Sequence, residues 1–362
     1  MRRRTFLTGV AGTAAATGLA APALAQTTPT VRWRLTSSFP RSLDTIYGAA
    51  EVFSKGLAAA TDGGFQVQVF APGEIVPGLA ALDAVSVGTV ECAHTSSFLY
   101  VGKNEAFAFG TAIPFGLNAR QQNAWMLEGG GLDLTNAFYG KYNVRGIPMG
   151  NTGAQMGGWY RKEINTPADL KGLKIRIAGL GGTILARLGA VPQQLAGGDI
   201  YPALERGSLD AVEWSGPYDD EKLGFYKVAK YYYYPSWWEG GPMIHLFVNL
   251  DAWNALPKPY QAALELAAAN ANITMLARYD AQNPDALRRL VAAGAQLRGF
   301  SREILDACYD EAFALYGEIA ARNADFKAIY EPWMAFRAKE TLWFQFAELG
   351  FDAYVMTRAN ER

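Results

Sequence analysis

Histidine and cysteine are nearly missing from this chain of 362 residues, which has two of each. Cys92 and Cys308 stand far apart, with no second cysteine or histidine at metal-ligand spacing, so neither a disulfide framework nor a zinc site is signalled. Both read as small buried hydrophobes. With only His94 and His245 present, a histidine metal cluster is excluded, and a Ser-His-Asp triad would have to use one of the two. His94, at the end of an apolar segment, reads as a core or loop histidine rather than a base. Neither sign of charge is in excess: 33 basic residues face 34 acidic ones, so the footprint of a nucleic-acid binder is missing. Beyond the N-terminus no apolar run is long enough to cross a membrane. The run Gly179-Leu180-Gly181-Gly182 has Ile184 where a pyrophosphate loop needs its further glycine. No enzyme is expected, and an exported hydrolase or oxidoreductase stays a remote alternative.

What is present begins with an address label. Arg2-Arg3-Arg4-Thr5-Phe6-Leu7, an apolar Ala/Gly/Leu stretch and Ala23-Leu24-Ala25 before Gln26 form a charged region, a hydrophobic region and an A-x-A cleavage site. Residues 1–25 are expected to be a signal peptide. The arginine pair followed by Phe-Leu points to the twin-arginine (Tat) route, with the general secretory (Sec) route as the alternative. The mature protein is then expected outside the cytoplasm, in the periplasm.

The rest of the chain alternates strand and helix periods. Val31, Trp33 and Leu35 alternate with polar partners, Ile46, Ala49, Phe53 and Leu57 recur at helical spacing, and Phe65, Val67 and Val69 alternate again. Strand, helix, strand, helix, strand implies a parallel sheet. A long strand is expected over 151–160, whose small residues suit a segment crossing between domains. A second α/β unit follows, and the alternating Ile244, Leu246 and Val248 bring the chain back. Two crossings between two α/β units make a hinge. An alanine-rich helix over 257–280 is expected to back both, with Asn283-Pro284 breaking or bending it. The expected division is 26–150 with 241–280 as the first domain, 151–240 with 281–329 as the second, and a helical tail over 330–362. That tail carries Trp333, Phe336, Trp343, Phe346 and Phe351, an aromatic face suited to a second copy of the chain or to packing on its own second domain.

The candidate site centres on Lys171-Gly-Leu-Lys-Ile-Arg176-Ile-Ala-Gly179. As a strand it puts Arg176 opposite Ile175 and Ile177, just before a glycine-rich turn, at the carboxyl end where open α/β sheets bind ligands. A guanidinium never deprotonates and has five donors. Arg176 therefore snorkels to water, pairs with a structural carboxylate, or meets an anionic ligand. Gln155, the Glu213-Trp214-Ser215-Gly216-Pro217 strand end and Pro235-Ser236-Trp237-Trp238-Glu239-Gly240 converge on the same crevice. Gln155, Glu239 and a backbone carbonyl near Trp214 are hard oxygen donors suited to sodium or calcium. Glu239 can equally be a structural partner of Arg176 or simply solvated. Asp219-Asp220-Glu221 reads as a solvated helix start rather than an acid/base pair, and Tyr231, Tyr232, Tyr233 and Tyr234 read as an edge strand.

Three segments carry a family resemblance: Thr166-Pro-Ala-Asp-Leu-Lys-Gly-Leu-Lys-Ile-Arg176, Asp199-Ile-Tyr-Pro-Ala-Leu-Glu-Arg-Gly-Ser-Leu-Asp-Ala211, and Asn249 through Trp253 to Leu256-Pro257. Together they resemble the DctP-type extracytoplasmic solute receptors of tripartite ATP-independent periplasmic (TRAP) transporters. The run from Glu213 to Phe225 with Trp237-Trp238-Glu239 resembles the branch that binds 2-oxo acids such as pyruvate, or lactate. The resemblance implies two α/β domains of Venus-flytrap type with C-terminal helices, closing on a ligand. It also implies Arg176 as the carboxylate anchor and a sodium ion, or alternatively calcium, held by Gln155, the Trp214 backbone and Glu239. Tyr100 and Phe39 match pocket-lining positions. The implied partners are a small carboxylate and the membrane permease subunits; a dicarboxylate or sugar acid held without metal is the alternative ligand. On this reading Arg176→Ala abolishes binding and leaves the fold intact.

Overall fold

The computed structural model describes residues 29–361. The expected signal peptide and its export route lie outside the described residues. Eleven strands occur among those described: β1 (Val31–Ser37), β2 (Phe65–Phe70), β3 (Cys92–Thr95), β4 (Val144–Asn151), β5 (Trp159–Tyr160), β6 (Lys174–Arg176), β7 (Val191–Gln193), β8 (Ala211–Val212), β9 (Tyr231–Tyr234), β10 (Met243–Asn249) and β11 (Gln296–Gly299). They form two sheets, ordered β2-β1-β3-β10-β4 and β11-β9-β5-β8-β6-β7.

In the first sheet the alternation of β1 turns Trp33 and Leu35 into the core, and β1 lies parallel to β2 and β3, as the strand–helix alternation implies. The returning β10 enters antiparallel between β3 and β4, which makes the sheet mixed. In the second sheet β6 lies between two parallel neighbours, β7 and β8. The four tyrosines of β9 do not form an edge strand. β9 is paired on both sides, by β11 and β5, and Tyr232 and Tyr233 are fully buried.

The expected strand over 151–160 is split. β4 ends at Asn151, whose side chain accepts from Gly153 N at 2.8 Å and donates to Gly241 O at 3.0 Å. The chain resumes strand geometry only at Trp159. At Gly158 φ is +83°, and a Cβ would lie 2.4 Å from the Val212 carbonyl, so only glycine fits. The segment runs beside its returning counterpart, joined through Thr152 N to Pro242 O at 3.1 Å and Ser236 N to Gln155 O at 3.2 Å.

One helix spans Lys258–Ala292 and does not break at Pro284. Its 35 residues extend about 50 Å at 1.5 Å per residue. An interior proline removes one hydrogen bond and costs about 3 kcal/mol. Packing at both ends holds the helix through it. Leu264, Ala268 and Ala271 join the core under the first sheet, Met275 and Tyr279 pack with Phe39, Ile46 and Ile244, and Leu290 joins Trp159, Ile200 and Leu204 under the second. The helix therefore backs both halves of the fold.

The C-terminal part is a run of helices, Arg302–Arg322, Ala324–Phe344 and Gly350–Asn360. Their aromatic face is divided along its length. Phe326 and Trp333 are buried against Phe109, beside the first sheet rather than the second, whereas Trp343, Phe346, Phe351 and Tyr354 are exposed.

Candidate ligand-binding site

Between the two sheets lies a small cavity of about 40 Å³. Ser38, Phe39, Phe98 and Leu99 line it from the first half; Arg176, Leu195, Glu213 and Trp214 line it from the second; Thr152, Gln155 and Glu239 come from the two crossing segments. The structure thus brings together five expected site residues, Phe39, Gln155, Arg176, Trp214 and Glu239. It does not bring Tyr100 to the cavity. The Tyr100 hydroxyl is bonded to Thr95 Oγ1 at 2.9 Å and accepts from Leu82 N at 3.2 Å, because the short helical turn that carries it folds the ring back towards Phe107.

Arg176 ends β6 and is 5% exposed. Its Nη1 donates to the Glu213 carbonyl at 2.6 Å and to Glu213 Oε2 at 3.0 Å, its Nε donates to the Leu195 carbonyl at 3.3 Å, and the guanidinium lies 5.0 Å from the Trp214 ring centre. Nη2 has no protein acceptor among the described residues, which leaves one edge of the guanidinium for the cavity. The structural partner is Glu213, not Glu239. The strand pairing carries the signal for this: Arg176 is in register with Val212, so Glu213, the residue directly after β8, reaches the arginine.

Glu239 is 4% exposed and forms no ion pair among the described residues. Burial raises its carboxyl well above the usual range, the Glu213 charge raises it further, and Arg176 and the neighbouring Gln155 amide act in the opposite direction. Burial also raises Glu213, with Arg176 opposing. Gln155 donates its Nε2 to Thr152 Oγ1 at 2.9 Å, and its buried Oε1 has no donor. With both glutamates ionised, one guanidinium faces two carboxylates, and the formal charge of the buried cluster is −1. An unpaired buried charge is costly, so the cluster calls for a proton or a cation. The free acceptor of Gln155 beside the Glu239 carboxylate is a donor set for a hard cation, and no histidine or cysteine is needed.

The neighbouring acidic run departs from expectation. Asp219 and Asp220 are buried at the start of the helix Pro217–Leu223, and only Glu221 faces out, paired with Arg289 at 2.7 Å. Asp219 accepts from the Tyr279 hydroxyl at 2.6 Å, and Asp220 accepts from Trp159 Nε1 at 3.0 Å and the Tyr232 hydroxyl at 2.7 Å. Burial raises these carboxyls to about 6 and about 7. They tie the site's supporting helix to the second sheet and to the long helix. His94 is fully buried, and burial lowers it to about 3. Ser37 Oγ accepts from Phe39 N at 3.2 Å and shares a hydrogen bond with His94 Nδ1, also at 3.2 Å. His94 packs edge-on against Phe39, behind the cavity wall.

The described residues contain no helix long and apolar enough to cross a membrane. A family model for the bacterial extracellular solute-binding proteins, family 7 (DctP), matches residues 36–323. The chain belongs to that family. Like other DctP members it is a solute receptor of the TRAP type, not an enzyme. It is 51% identical over 360 residues to a monocarboxylate 2-oxoacid-binding periplasmic protein of Nostoc sp., covering 98% of this chain and 99% of that one. A TRAP transporter solute-binding protein of Bordetella bronchiseptica superimposes with TM-score 0.91 at 53% identity, covering 92% of this chain and 99% of that one. It is a mixed-occupancy dimer with copurified calcium and picolinate in one active site and an apo second site. A TRAP periplasmic solute-binding protein of Pseudoalteromonas atlantica with bound sodium and pyruvate matches with TM-score 0.86 at 34% identity, covering 89% of this chain and 98% of that one.

The buried pair changes the expected outcome of Arg176→Ala. Glu213 is left without its cation, so the variant should lose about 3–5 kcal/mol of stability in urea unfolding, not only ligand affinity. The double variant Arg176→Met/Glu213→Met, which leaves no orphaned charge, should recover most of that loss. A second prediction concerns Asp220. A folded-state carboxyl raised from 3.8 to about 7 binds extra protons, so its contribution to stability is present at low pH and lost as pH rises through that window. Asp220→Asn keeps an acceptor for Trp159 and Tyr232. Its melting temperature relative to wild type should climb steadily between pH 4 and pH 7 and level off above.

Proposed function

We propose that this protein is the periplasmic receptor of a TRAP transporter that captures a small 2-oxo monocarboxylate, pyruvate being the reference ligand, together with a sodium or calcium ion. It hands the ligand to the membrane permease subunits. One observation carries the reading: the buried, donorless Gln155 Oε1 stands beside a buried Glu239 carboxylate that lacks a cation, next to the unused edge of Arg176. Gln155, Glu239 and the Trp214 backbone carbonyl would hold the ion, which when bound offers a Lewis-acid partner to the ligand's carboxylate and 2-oxygen. Arg176 Nη2 would take the carboxylate, and Phe39 and Trp214 would wall the ligand. Lobes of 26–150 with 241–280 and of 151–240 with 281–329 would close on it.

The charge count also sorts the alternatives. Arg176 is the only cationic side chain among the described lining residues. A dicarboxylate would leave its second carboxylate unmet, and a monocarboxylate would not. Arg176, Glu213, Glu239 and the ligand sum to −2 when all are ionised. Calcium neutralises that sum outright, while sodium requires one glutamate to hold a proton.

Titration calorimetry on ligand-stripped protein with pyruvate, 2-oxobutyrate, lactate and succinate, each with sodium, with calcium and with neither, tests the reading. Cation-dependent binding of the 2-oxo acids is expected, and Glu239→Gln should weaken it at least tenfold. Equal affinity with and without cation would remove the ion from the site.

The proposed macromolecular partner of the terminal helix is a second copy of the chain. Phe351, Tyr354, Val355 and Met356 are all exposed on Gly350–Asn360, uncovered by any of the described residues. A soluble protein rarely leaves such a face uncovered. Light scattering should give the mass of two chains, and Phe351→Ser with Tyr354→Ser should reduce it to one.

A further inference from the structure

The two halves of the fold also meet outside the cavity, at a point where no ligand is involved. Asp44 lies in the loop between β1 and the helix Ile46–Ala60, on the side of the first sheet. Across the cleft, the helix Pro217–Leu223 starts directly after the cavity-lining Trp214 and Ser215. Lys222 Nζ pairs with Asp44 Oδ1, and the Tyr218 hydroxyl donates to Asp44 Oδ2 at 3.2 Å. The Lys222 ammonium also sits 3.8 Å from the centre of the Tyr218 ring. The backbone carbonyl of Asp44 accepts from Arg278 Nη1 of the long helix at 3.0 Å. Both carboxylate oxygens of one half are therefore used by the other half, and the residue's backbone is fixed by the helix that backs both.

The platform opposite Asp44 is stiff. Tyr218 N donates to Asn283 Oδ1 at 3.0 Å, Glu221 takes Arg289 through two bonds of 2.7 and 2.8 Å, and the Tyr279 hydroxyl reaches Asp219 at 2.6 Å. Lys222 and Tyr218 thus meet Asp44 from a helix already held in place, which limits the ordering entropy that weakens most exposed ion pairs. Burial pushes Asp44 up, and the hydrogen bond and charge of Lys222 outweigh it, so the carboxyl ends below its usual range. None of the three residues lines the cavity.

We infer that Asp44, Lys222 and Tyr218 form an inter-lobe clasp that sets the receptor's ligand affinity without touching the ligand. The contact exists only when the lobes are together, so it adds to the closed state whether or not a ligand is present. Apparent affinity scales with the closed, binding-competent fraction, and a ligand must supply less when the clasp supplies more. Asp44 and Lys222 are in this sense positioning residues for binding. The inference rests on the receptor assignment, and only its affinity arm rests on the proposed 2-oxo acid.

The test uses Asp44→Asn, Lys222→Met, the double variant and the charge-swapped Asp44→Lys/Lys222→Asp. Pyruvate in calcium chloride is the probe for affinity. Each single variant should weaken binding about three- to tenfold, mainly through a faster dissociation rate, as expected for one charged contact and one hydrogen bond. The double variant should be no worse than the weaker single one, and the swap should restore part of the loss. Thermal melting of the ligand-free protein should stay within a few degrees of wild type. A second arm needs no ligand. Spin labels placed through Lys55→Cys and Arg206→Cys, with Cys92 and Cys308 buried, report the distance between lobes. The ligand-free variants should populate longer distances than wild type. Failure of wild type to bind pyruvate would overturn the ligand reading and leave the distance arm to decide the clasp. An unchanged dissociation rate or an unchanged distance distribution in Asp44→Asn and Lys222→Met would overturn the clasp.

Discussion

One buried guanidinium, paired with one carboxylate and felt by a second, governs this molecule. Arg176 is positioned by strand pairing, since β6 lies between parallel neighbours and ends where the sheet opens, and β8 delivers Glu213 to the same place. The pair satisfies half of the guanidinium and keeps the other half directed to the cavity. Glu239 arrives from a different direction, on the segment returning to the first sheet, and finds no cation of its own. A receptor can tolerate such an arrangement because the missing charge is supplied by what it binds. The strain is electrostatic, local and relieved only by a cation or a proton, so it doubles as a recognition device.

The rest of the fold keeps that cluster at the junction of its two halves. The crossing segments that contribute Gln155 and Glu239 run side by side, which holds the two side chains in register with each other. The long helix passes behind them with each end embedded in a different core, and its middle, Met275 and Tyr279, packs against Phe39, Ile46 and Ile244. Tyr279 in turn holds Asp219, five residues beyond Trp214. A bend in that helix would therefore reach the cavity wall through two contacts. Pro284 weakens one backbone bond just past this middle stretch, between the two embedded ends, where flexibility has the most effect on lobe geometry.

Much of this was legible in the sequence because it rests on local periodicity. Val31, Trp33 and Leu35, then Phe65, Val67 and Val69, announce strands by alternation, and the alanine-rich run after Pro257 announces the backing helix. Arg176 stood out because it lies at the carboxyl end of a strand, just before a glycine-rich turn. What stayed hidden depends on pairing between distant segments. Glu213 looked like part of a strand end until the register of β6 with β8 placed it beside Arg176. Asp219 and Asp220 looked solvated because a charge run after Pro-Tyr usually is; only the arrival of Trp159, Tyr232 and Tyr279 from three other elements makes their burial tolerable. Tyr100 matches a pocket-lining position of the family it resembles, and Thr95 and Leu82 claim its hydroxyl instead. Asn283-Pro284 reads as a helix breaker wherever tertiary packing is unknown, and here the packing of Leu290 decides.

On the proposed reading, the charge of the cluster also dictates an order of events. When Glu213 and Glu239 are both ionised the site carries a net negative charge and repels an approaching carboxylate, and burial favours a proton there until a cation takes its place. Sodium bound first cancels that charge and calcium reverses it, at the place where the ligand's oxygens must go, so ion and acid bind cooperatively by simple electrostatics. Closure then removes water and strengthens every one of these attractions. It would equally magnify any charge left unbalanced, and a half-loaded site therefore has little to gain from closing. The same cluster that attracts the pair thus discriminates against shutting on either component alone, which is the behaviour a receptor needs if it is to present only loaded protein to a transporter.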